Sequence, residues 1–139
     1  MEEVRVGIVG SRLYENKLKI KEFVFKLKQK FDGENKRVIV VSGGCKDGAD
    51  RYAKKYALEF GLDYEEYPPA HQQHSLYCVL PRNHYNKIYH PSNFHMRNKL
   101  IAKSSDYIVG FIPVGVDAKG TKSTLEYARD YNKKYKIIN

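Results

Sequence analysis

The chain has 139 residues, 42% of them apolar, which is typical of one globular domain, and we predict a single domain over residues 1–139. No window approaches the roughly 18 apolar residues of a membrane span, and two cysteines without regular spacing form no disulfide framework, so we expect a soluble cytoplasmic protein. The 25 basic side chains exceed the 16 acidic ones, and the formal charge of +9 favours an anionic partner, although lysines on a solvated helix surface explain part of it.

Apolar runs alternate with helical patterns along the whole chain. In chain order we predict a strand at 4–10, a helix at about 15–31, a strand at 37–43, a helix at 49–60, a strand at 62–68, a long loop at 69–92, a helix at about 93–104, a strand at 106–113, a turn at 114–120, a helix at about 121–134 and a last strand at 135–139. This alternation predicts an α/β fold with three layers, a parallel sheet of about five strands in the order 3-2-1-4-5, and helices on both faces. Ligands then bind at the carboxyl ends of the central strands.

The first strand ends in a short turn, Gly10-Ser11-Arg12. A glycine lets the backbone approach a ligand, a hydroxyl bonds a phosphate oxygen, and a guanidinium binds it through two donors. A tight connection between a strand and a helix explains the same residues without a ligand.

The second strand leads into a glycine-rich turn, "SGGCKDGAD". Its candidate ligand-binding residues are Ser42, Gly43, Gly44, Gly48 and Asp50. Glycines beside a helix N-terminus expose N–H groups that bind anions. Asp50 would repel a phosphate, so we expect it to cap the helix or to bond a sugar hydroxyl. The glycine spacing is not that of the dinucleotide fingerprint.

Two further helix starts contain polar residues. Arg97 and Asn98 lie near the start of the third predicted helix, where an arginine opposes the helix dipole and is stabilised by an anion or by a surface salt bridge. We expect the start of the fourth helix to bind phosphate through backbone N–H groups, hydroxyls and one ammonium. Its residues are Gly120, Thr121, Lys122, Ser123 and Thr124. Alternatively, the hydroxyls only cap the helix.

The loop at 69–92 is rich in histidine and tyrosine. His71, His74 and Cys78 are close enough in sequence to hold zinc, but their spacing matches no strong pattern, and we expect neither a metal nor a cofactor. We expect the loop to fold over the crevice, where its tyrosines or histidines could stack on a base.

Four segments in this order resemble the SLOG superfamily of Rossmann-like nucleotide-binding proteins: "VGIVGSR", "SGGCKDGADRYAKKYA", "MRNKLIAKSSDYIVGF" and "GTKSTLEYA". They are most similar to its small stand-alone branch, with a GSR turn and a GGxxGAD turn. The resemblance covers nearly all of the chain except the long loop. It implies a single Rossmann-like nucleotide-binding domain, and relatives of this kind imply a homodimer that forms through helices beside the crevice.

One related family, the Lonely-Guy type phosphoribohydrolases, cleaves the base from nucleoside 5'-monophosphates. Arg97 matches that family's catalytic arginine, whereas Asn98 replaces its lysine and Thr124 occupies its glutamate position. Base release needs a carboxylate near the ribose, which only Asp50 or Glu126 could supply. The resemblance therefore implies Arg97, Glu126 and Asp50 as catalytic residues if the protein is an enzyme.

A second related family is the DNA-processing protein of natural transformation, which binds single-stranded DNA. It is similar in the segments "SGGCKDGAD" and "FHMRNKLIAKSS", and the positive charge suits nucleic acid. We expect a binding protein for a nucleotide or a nucleotide-derived phosphate ligand, with base release and single-stranded DNA binding as alternatives.

Overall fold

A computed structural model describes residues 2–139. Its elements, in chain order, are β1 (Glu2–Gly10), α1 (Lys17–Gly33), β2 (Lys36–Ser42), α2 (Gly48–Glu59), β3 (Asp63–Glu66), a 3-10 turn (Arg82–His84), α3 (Ser92–Ser104), β4 (Tyr107–Phe111), α4 (Lys119–Asp130) and β5 (Lys134–Ile138). All neighbouring strands pair in parallel, in the order β3-β2-β1-β4-β5. The predicted α/β class and strand order are confirmed.

The central strand β1 fixes the register of the sheet. Its Val6 pairs with Val40 of β2 on one side and with Tyr107 of β4 on the other. The central parts of β1, β2 and β4 are apolar because the helices cover both of their faces. β5 lies at an edge and is mostly exposed.

Each face of the sheet has its own apolar core. α1 and α2 cover one face, where Val24, Ala53 and Phe111 are buried in a common cluster. α3 and α4 cover the other face, where Ile101 and Leu125 pack with the opposite side of the strands. The turns that follow the carboxyl ends of the strands lie between the two helix layers, where the sequence places the site, and we call the space among them the crevice.

Several element boundaries differ from the prediction. α4 begins at Lys119 and ends at Asp130, rather than spanning about 121–134, because Asn132 adopts a positive φ of 60° and β5 already starts at Lys134. α3 begins at Ser92, so Arg97 lies in its second turn and not in its first. The α3 dipole therefore acts on Arg97 more weakly than the sequence predicts.

The long connection between β3 and α3 is tied to the sheet. Glu66 forms an isolated bridge with Cys78, with the Glu66 N–H donating to the Tyr77 carbonyl at 3.0 Å. The Asn86 N–H donates to the Gln72 carbonyl at 2.8 Å, which closes the connection on itself. It therefore runs along the β3 edge. Within residues 2–139, no helix has the length and apolar character needed to cross a bilayer.

Candidate functional site

The Gly10-Ser11-Arg12 turn is held between β4 and α2. The Ser11 N–H donates to the Phe111 carbonyl at 3.1 Å, and the Ala49 N–H donates to the Ser11 carbonyl at 3.2 Å. The Ser11 hydroxyl accepts the Leu13 N–H at 3.0 Å and is buried, so it stabilises its own turn. Arg12 is exposed at the mouth of the crevice, which leaves its guanidinium available to a ligand.

Two glycines allow this turn to pack against α2. Gly48 has a φ of +66°, and a Cβ there would lie 2.6 Å from the Arg12 Cα. A Cβ on Gly10 would lie 2.5 Å from the Phe111 carbonyl oxygen. Contacts between protein segments therefore require both glycines. For Gly10 this agrees with the tight connection that the sequence analysis offered beside the ligand.

Gly43 contacts the side chain of Arg97 from α3. Arg97 Nη1 donates to the Gly43 carbonyl at 2.9 Å, and its Nε donates to Asn98 Oδ1 at 3.0 Å. A Cβ on Gly43 would clash with the guanidinium and would lie 2.9 Å from Asp50 Oδ2. The structure therefore brings Gly43, Asp50, Arg97 and Asn98 together, although they are far apart in the sequence.

Arg97 retains donor groups without partners. Within residues 2–139 its Nη2 group makes no hydrogen bond, and the residue is half-buried. Burial lowers the pKa of Arg97, the Asp50 and Cys45 side chains oppose that shift, and the nearby Arg12 charge lowers the pKa further. The Arg12 and Arg97 charges therefore repel each other, and an anion beside them would relieve that repulsion.

Asp50 does not cap α2. The cap position is Asp47, which makes no side-chain cap hydrogen bond, and Asp50 Oδ2 instead accepts the Cys45 N–H at 3.1 Å. Burial raises the pKa of Asp50 to about 6, although Arg97 and the Cys45 N–H both favour the charged form. Asp50 can therefore hold or release a proton close to neutral pH.

The start of α4 closes the crevice on the side of β4. Asn98 Nδ2 donates to the Gly120 carbonyl at 3.4 Å, which joins α3 to α4. The first intrahelical bond of α4 runs from the Lys122 N–H to the Ala118 carbonyl at 2.9 Å, so the N–H groups at 119–121 have no partner within the helix. Such N–H groups are available to an anion, as at the start of any helix.

The side chains at the start of α4 differ in their availability. Thr124 Oγ1 donates to the Gly120 carbonyl at 3.1 Å, and Thr121 is buried with its methyl group toward Gly110. Lys122 forms an exposed ion pair with Asp117 at 3.3 Å, and Ser123 is half-buried. The backbone at this helix start is thus better placed for an anion than the hydroxyls. Glu126 is exposed, whereas Asp50 is buried.

A buried acid beneath the glycine-rich turn was missed by the sequence analysis. Glu66, only 4% exposed at the end of β3, lies where a Cβ on Gly44 would be 2.6 Å from its Oε2. Its Oε1 lies 3.4 Å from Lys54 Nζ but has no hydrogen-bond partner. Ser42 Oγ accepts the Gly44 N–H at 3.3 Å beside it. The alternation of Tyr64 and Glu66 on one strand face was the available signal.

The long connection brings aromatic side chains to Arg97. The His71 ring lies 4.8 Å from the Tyr89 ring and 5.1 Å from the Phe94 ring, and the Arg97 guanidinium lies 5.9 Å from the Phe94 centroid. Tyr89 remains 61% exposed. An exposed aromatic surface therefore adjoins the unpaired donors of Arg97.

The other aromatic candidates of this connection are not free to stack on a base. Tyr85 is buried, and Tyr77 packs against Tyr64 with ring centroids 5.5 Å apart. Cys78 Sγ accepts the Ser75 N–H at 3.3 Å, while His74 lies beside Tyr85. Across the part of the chain that the structure describes, no three His, Cys, Asp or Glu side chains are grouped to hold a metal ion.

Comparison with known proteins supports the fold. No protein-family model and no curated protein matches the chain. It is similar to two structures of the molybdenum cofactor carrier protein from Chlamydomonas reinhardtii, with a TM-score of 0.65 for both, identities of 20% and 19%, and coverage of 98% and 99% of this chain and 76% of that chain. It also matches biliverdin reductase from Synechocystis sp. PCC 6803, with a TM-score of 0.39, 15% identity and coverage of 96% of this chain and 37% of that chain.

At these identities the likeness to the carrier protein shows the fold alone, a Rossmann-like α/β architecture. Membership of the SLOG superfamily therefore stays a prediction.

Proposed function

We propose that the protein binds a nucleotide or a nucleotide-derived phosphate ligand at the carboxyl ends of β1, β2 and β4. The observation that most supports this is the half-buried Arg97 guanidinium, which is oriented by Gly43 and Asn98, while its Nη2 group makes no hydrogen bond within residues 2–139. A guanidinium that is held in place and keeps free N–H donors can bind a ligand anion through charge-assisted hydrogen bonds.

The surrounding groups supply the other contacts that a phosphate needs. Arg12 adds a second guanidinium at the mouth of the crevice, and the first turn of α4 adds backbone N–H groups. In this proposal, these groups bind the phosphate, and the Asp50 carboxylate accepts a hydrogen bond from a sugar hydroxyl. A carboxylate in that position interacts with a neutral hydroxyl, whereas beside the phosphate it would be repelled.

The aromatic surface formed by His71, Tyr89 and Phe94 is the proposed place for the base. A purine or pyrimidine ring stacks on exposed aromatic side chains, and Phe94 lies beside Arg97. The structural neighbour is named for carrying a cofactor, so a cofactor-sized nucleotide derivative belongs among the ligands to be tested.

The proposal does not extend to base release. Thr124 stands at the glutamate position of the phosphoribohydrolases and its hydroxyl bonds within α4, while Glu126 is exposed. An N-glycosidic cleavage needs a carboxylate directed at the ribose, for which Asp50 is the remaining candidate, and the proposal gives Asp50 only a sugar hydroxyl to bind. Chromatography of AMP and dAMP after hours with the protein tests this point: intact nucleotides agree with a binding protein, and released base would contradict it.

A nuclear magnetic resonance titration tests where the ligand binds. The 15N-labelled protein is titrated with AMP, ADP, ATP, ADP-ribose and cyclic AMP, and we expect saturable amide shifts at Gly43, Gly44, Arg97 and Thr121 with at least one of them. Lys103, on the exposed side of α3, serves as an internal reference that should not shift. The absence of saturable shifts at the crevice with every compound would contradict the proposal.

A further inference from the structure

A second groove lies on the α1 face of the sheet, away from the crevice. It has a volume of about 260 Å³ and is lined by α1 residues between positions 23 and 31, by Val6 of β1 and by the first residues of β4 and β5. Lys134 and Tyr107, which pair across the two strands, form one wall. Because the strands run parallel, this groove is at their amino ends, opposite the proposed nucleotide site.

The groove is positively charged. Lys30, Lys134 and Lys136 line it, and no acidic side chain does. Among residues 2–139, none of these three lysines forms an ion pair. Lys30 approaches the groove from α1 and the other two from β5, so ammonium groups stand on opposite sides. A single anionic group between them would be attracted by all three.

The space between the lysines is apolar and partly open. Phe23 and Leu27 of α1 are half-buried, and Tyr107 is 40% exposed. The Lys136 ammonium lies 5.3 Å from the Phe23 ring centroid and the Lys30 ammonium lies 5.2 Å from the Phe31 centroid, so the charges directly border the apolar surface. β5 lies at the edge of the sheet and is mostly exposed, so the space between it and α1 stays partly open.

We propose that this groove binds a small apolar carboxylate, with its apolar body against Phe23, Leu27 and Tyr107 and its carboxylate between the three lysines. The volume is just below the roughly 300 to 1,000 Å³ of drug-sized pockets, which favours a medium-chain fatty acid or an aromatic acid. Both share one carboxylate on an apolar body. Burial of that body supplies affinity, and the unpaired ammonium groups select the anion.

The lysines of β5 have a competing explanation. Edge strands use charged side chains, lysine above all, to prevent pairing with another chain. Under that explanation the lysines bind nothing, and their removal increases self-association. The two roles predict different results for one variant, Lys134→Gln with Lys136→Gln.

Amide shifts measured on the full chain test the proposal. Octanoate and 2-naphthoate serve as probes for a chain and a ring, with 1-octanol and 2-naphthalenemethanol as their neutral counterparts. We expect saturable shifts at Tyr107, Val109 and Lys136 with at least one acid, and at least tenfold weaker binding of its neutral counterpart. Shifts confined to the crevice, or equal affinity for acid and alcohol, would overturn the proposal.

Two matched pairs of variants distinguish binding in the groove from a general effect of the positive charge. The double change Lys134→Gln and Lys136→Gln should weaken binding of the acid at least tenfold, whereas Lys55→Gln with Lys103→Gln, which removes the same charge from exposed sites elsewhere, should change it less than twofold. Unchanged binding in the first variant overturns the proposal, and sedimentation that shows new oligomers with unchanged binding assigns the lysines to edge protection.

A change in the apolar surface supplies the second pair. Leu27→Glu places a carboxylate in the groove and should abolish binding, whereas Leu18→Glu, at a position 65% exposed on the same helix, should leave it intact. Equal binding by the two folded variants would also overturn the proposal.

Discussion

Gly43 lies between two charged side chains, so the smallest substitution there tests the geometry of the crevice. A Cβ would clash with the Arg97 guanidinium and approach Asp50. We expect Gly43→Ala to displace Arg97 and to weaken nucleotide binding at least tenfold while the protein stays folded. Gly33→Ala is the matched control, because no atom lies within 4 Å of a Cβ at that position. Isothermal titration of both variants measures the difference, and equal affinities would show that Arg97 need not occupy its observed place.

Asp50 makes the stability of the fold depend on pH in a defined direction. Its pKa is about 6 in the folded protein against 3.8 for the free side chain, so the folded state binds more protons between these values, and stability falls as pH rises from about 4 to 6. The substitution Asp50→Asn removes this pH-dependent loss of stability. We expect the variant to be more stable than wild type by about 2 to 3 kcal/mol at pH 7.5 and equally stable at pH 3.5. Urea unfolding at both values measures this. A variant less stable at pH 7.5 would mean that the Asp50 charge stabilises Arg97 by more than its burial costs.

The contact between α2 and the turn after β1 depends on Gly48. Its φ of +66° and the nearby Ser11-Arg12 backbone both exclude a side chain. Gly115 has a similar φ of +80° with no atom within 4 Å of a Cβ, so it isolates the cost of backbone strain. We expect Gly115→Ala to cost about 1 kcal/mol of unfolding free energy and Gly48→Ala about 2 kcal/mol more. Chemical denaturation of the pair measures both values, and similar losses would contradict the packing role of Gly48.

The elements themselves were predictable, because apolar runs of strand length alternate with helical periods and right-handed crossovers fix the strand order. Helix ends were less predictable. α4 stops at Asp130 because Asn132 takes a left-handed conformation, which asparagine tolerates but does not require.

The candidate site was predictable in its position but not in its contacts. The carboxyl ends of parallel strands bring the turns together, so Gly43 and Arg97 could be assigned to one crevice. Their hydrogen bond spans 54 positions, and no local pattern specifies it. Glu66 was missed because a buried acid at the end of a weak strand resembles an ordinary charged strand end.

At the scale of the whole molecule, the charge of +9 and the two proposed sites, the crevice and the groove, predict different kinds of anion binding. General attraction of anions falls with salt and does not depend on any one arginine, whereas a built site depends on Arg97. The homodimer, the single domain and the cytoplasmic location stay predictions. Single-stranded DNA binding, if present, would appear in a gel shift that weakens steeply as salt rises.

The most direct test of the central claim is a thermal-shift measurement on wild type, Arg97→Ala and Arg129→Ala with the panel of nucleotides, ADP-ribose and cyclic nucleotides. Arg129 is the matched control because it is exposed in the last turn of α4, at the opposite end of that helix from the crevice. A ligand that binds only the folded state raises its Tm. The account predicts a concentration-dependent rise with at least one nucleotide in wild type and Arg129→Ala, and none in Arg97→Ala. No rise in wild type with any compound, or the same rise in all three proteins, would contradict it.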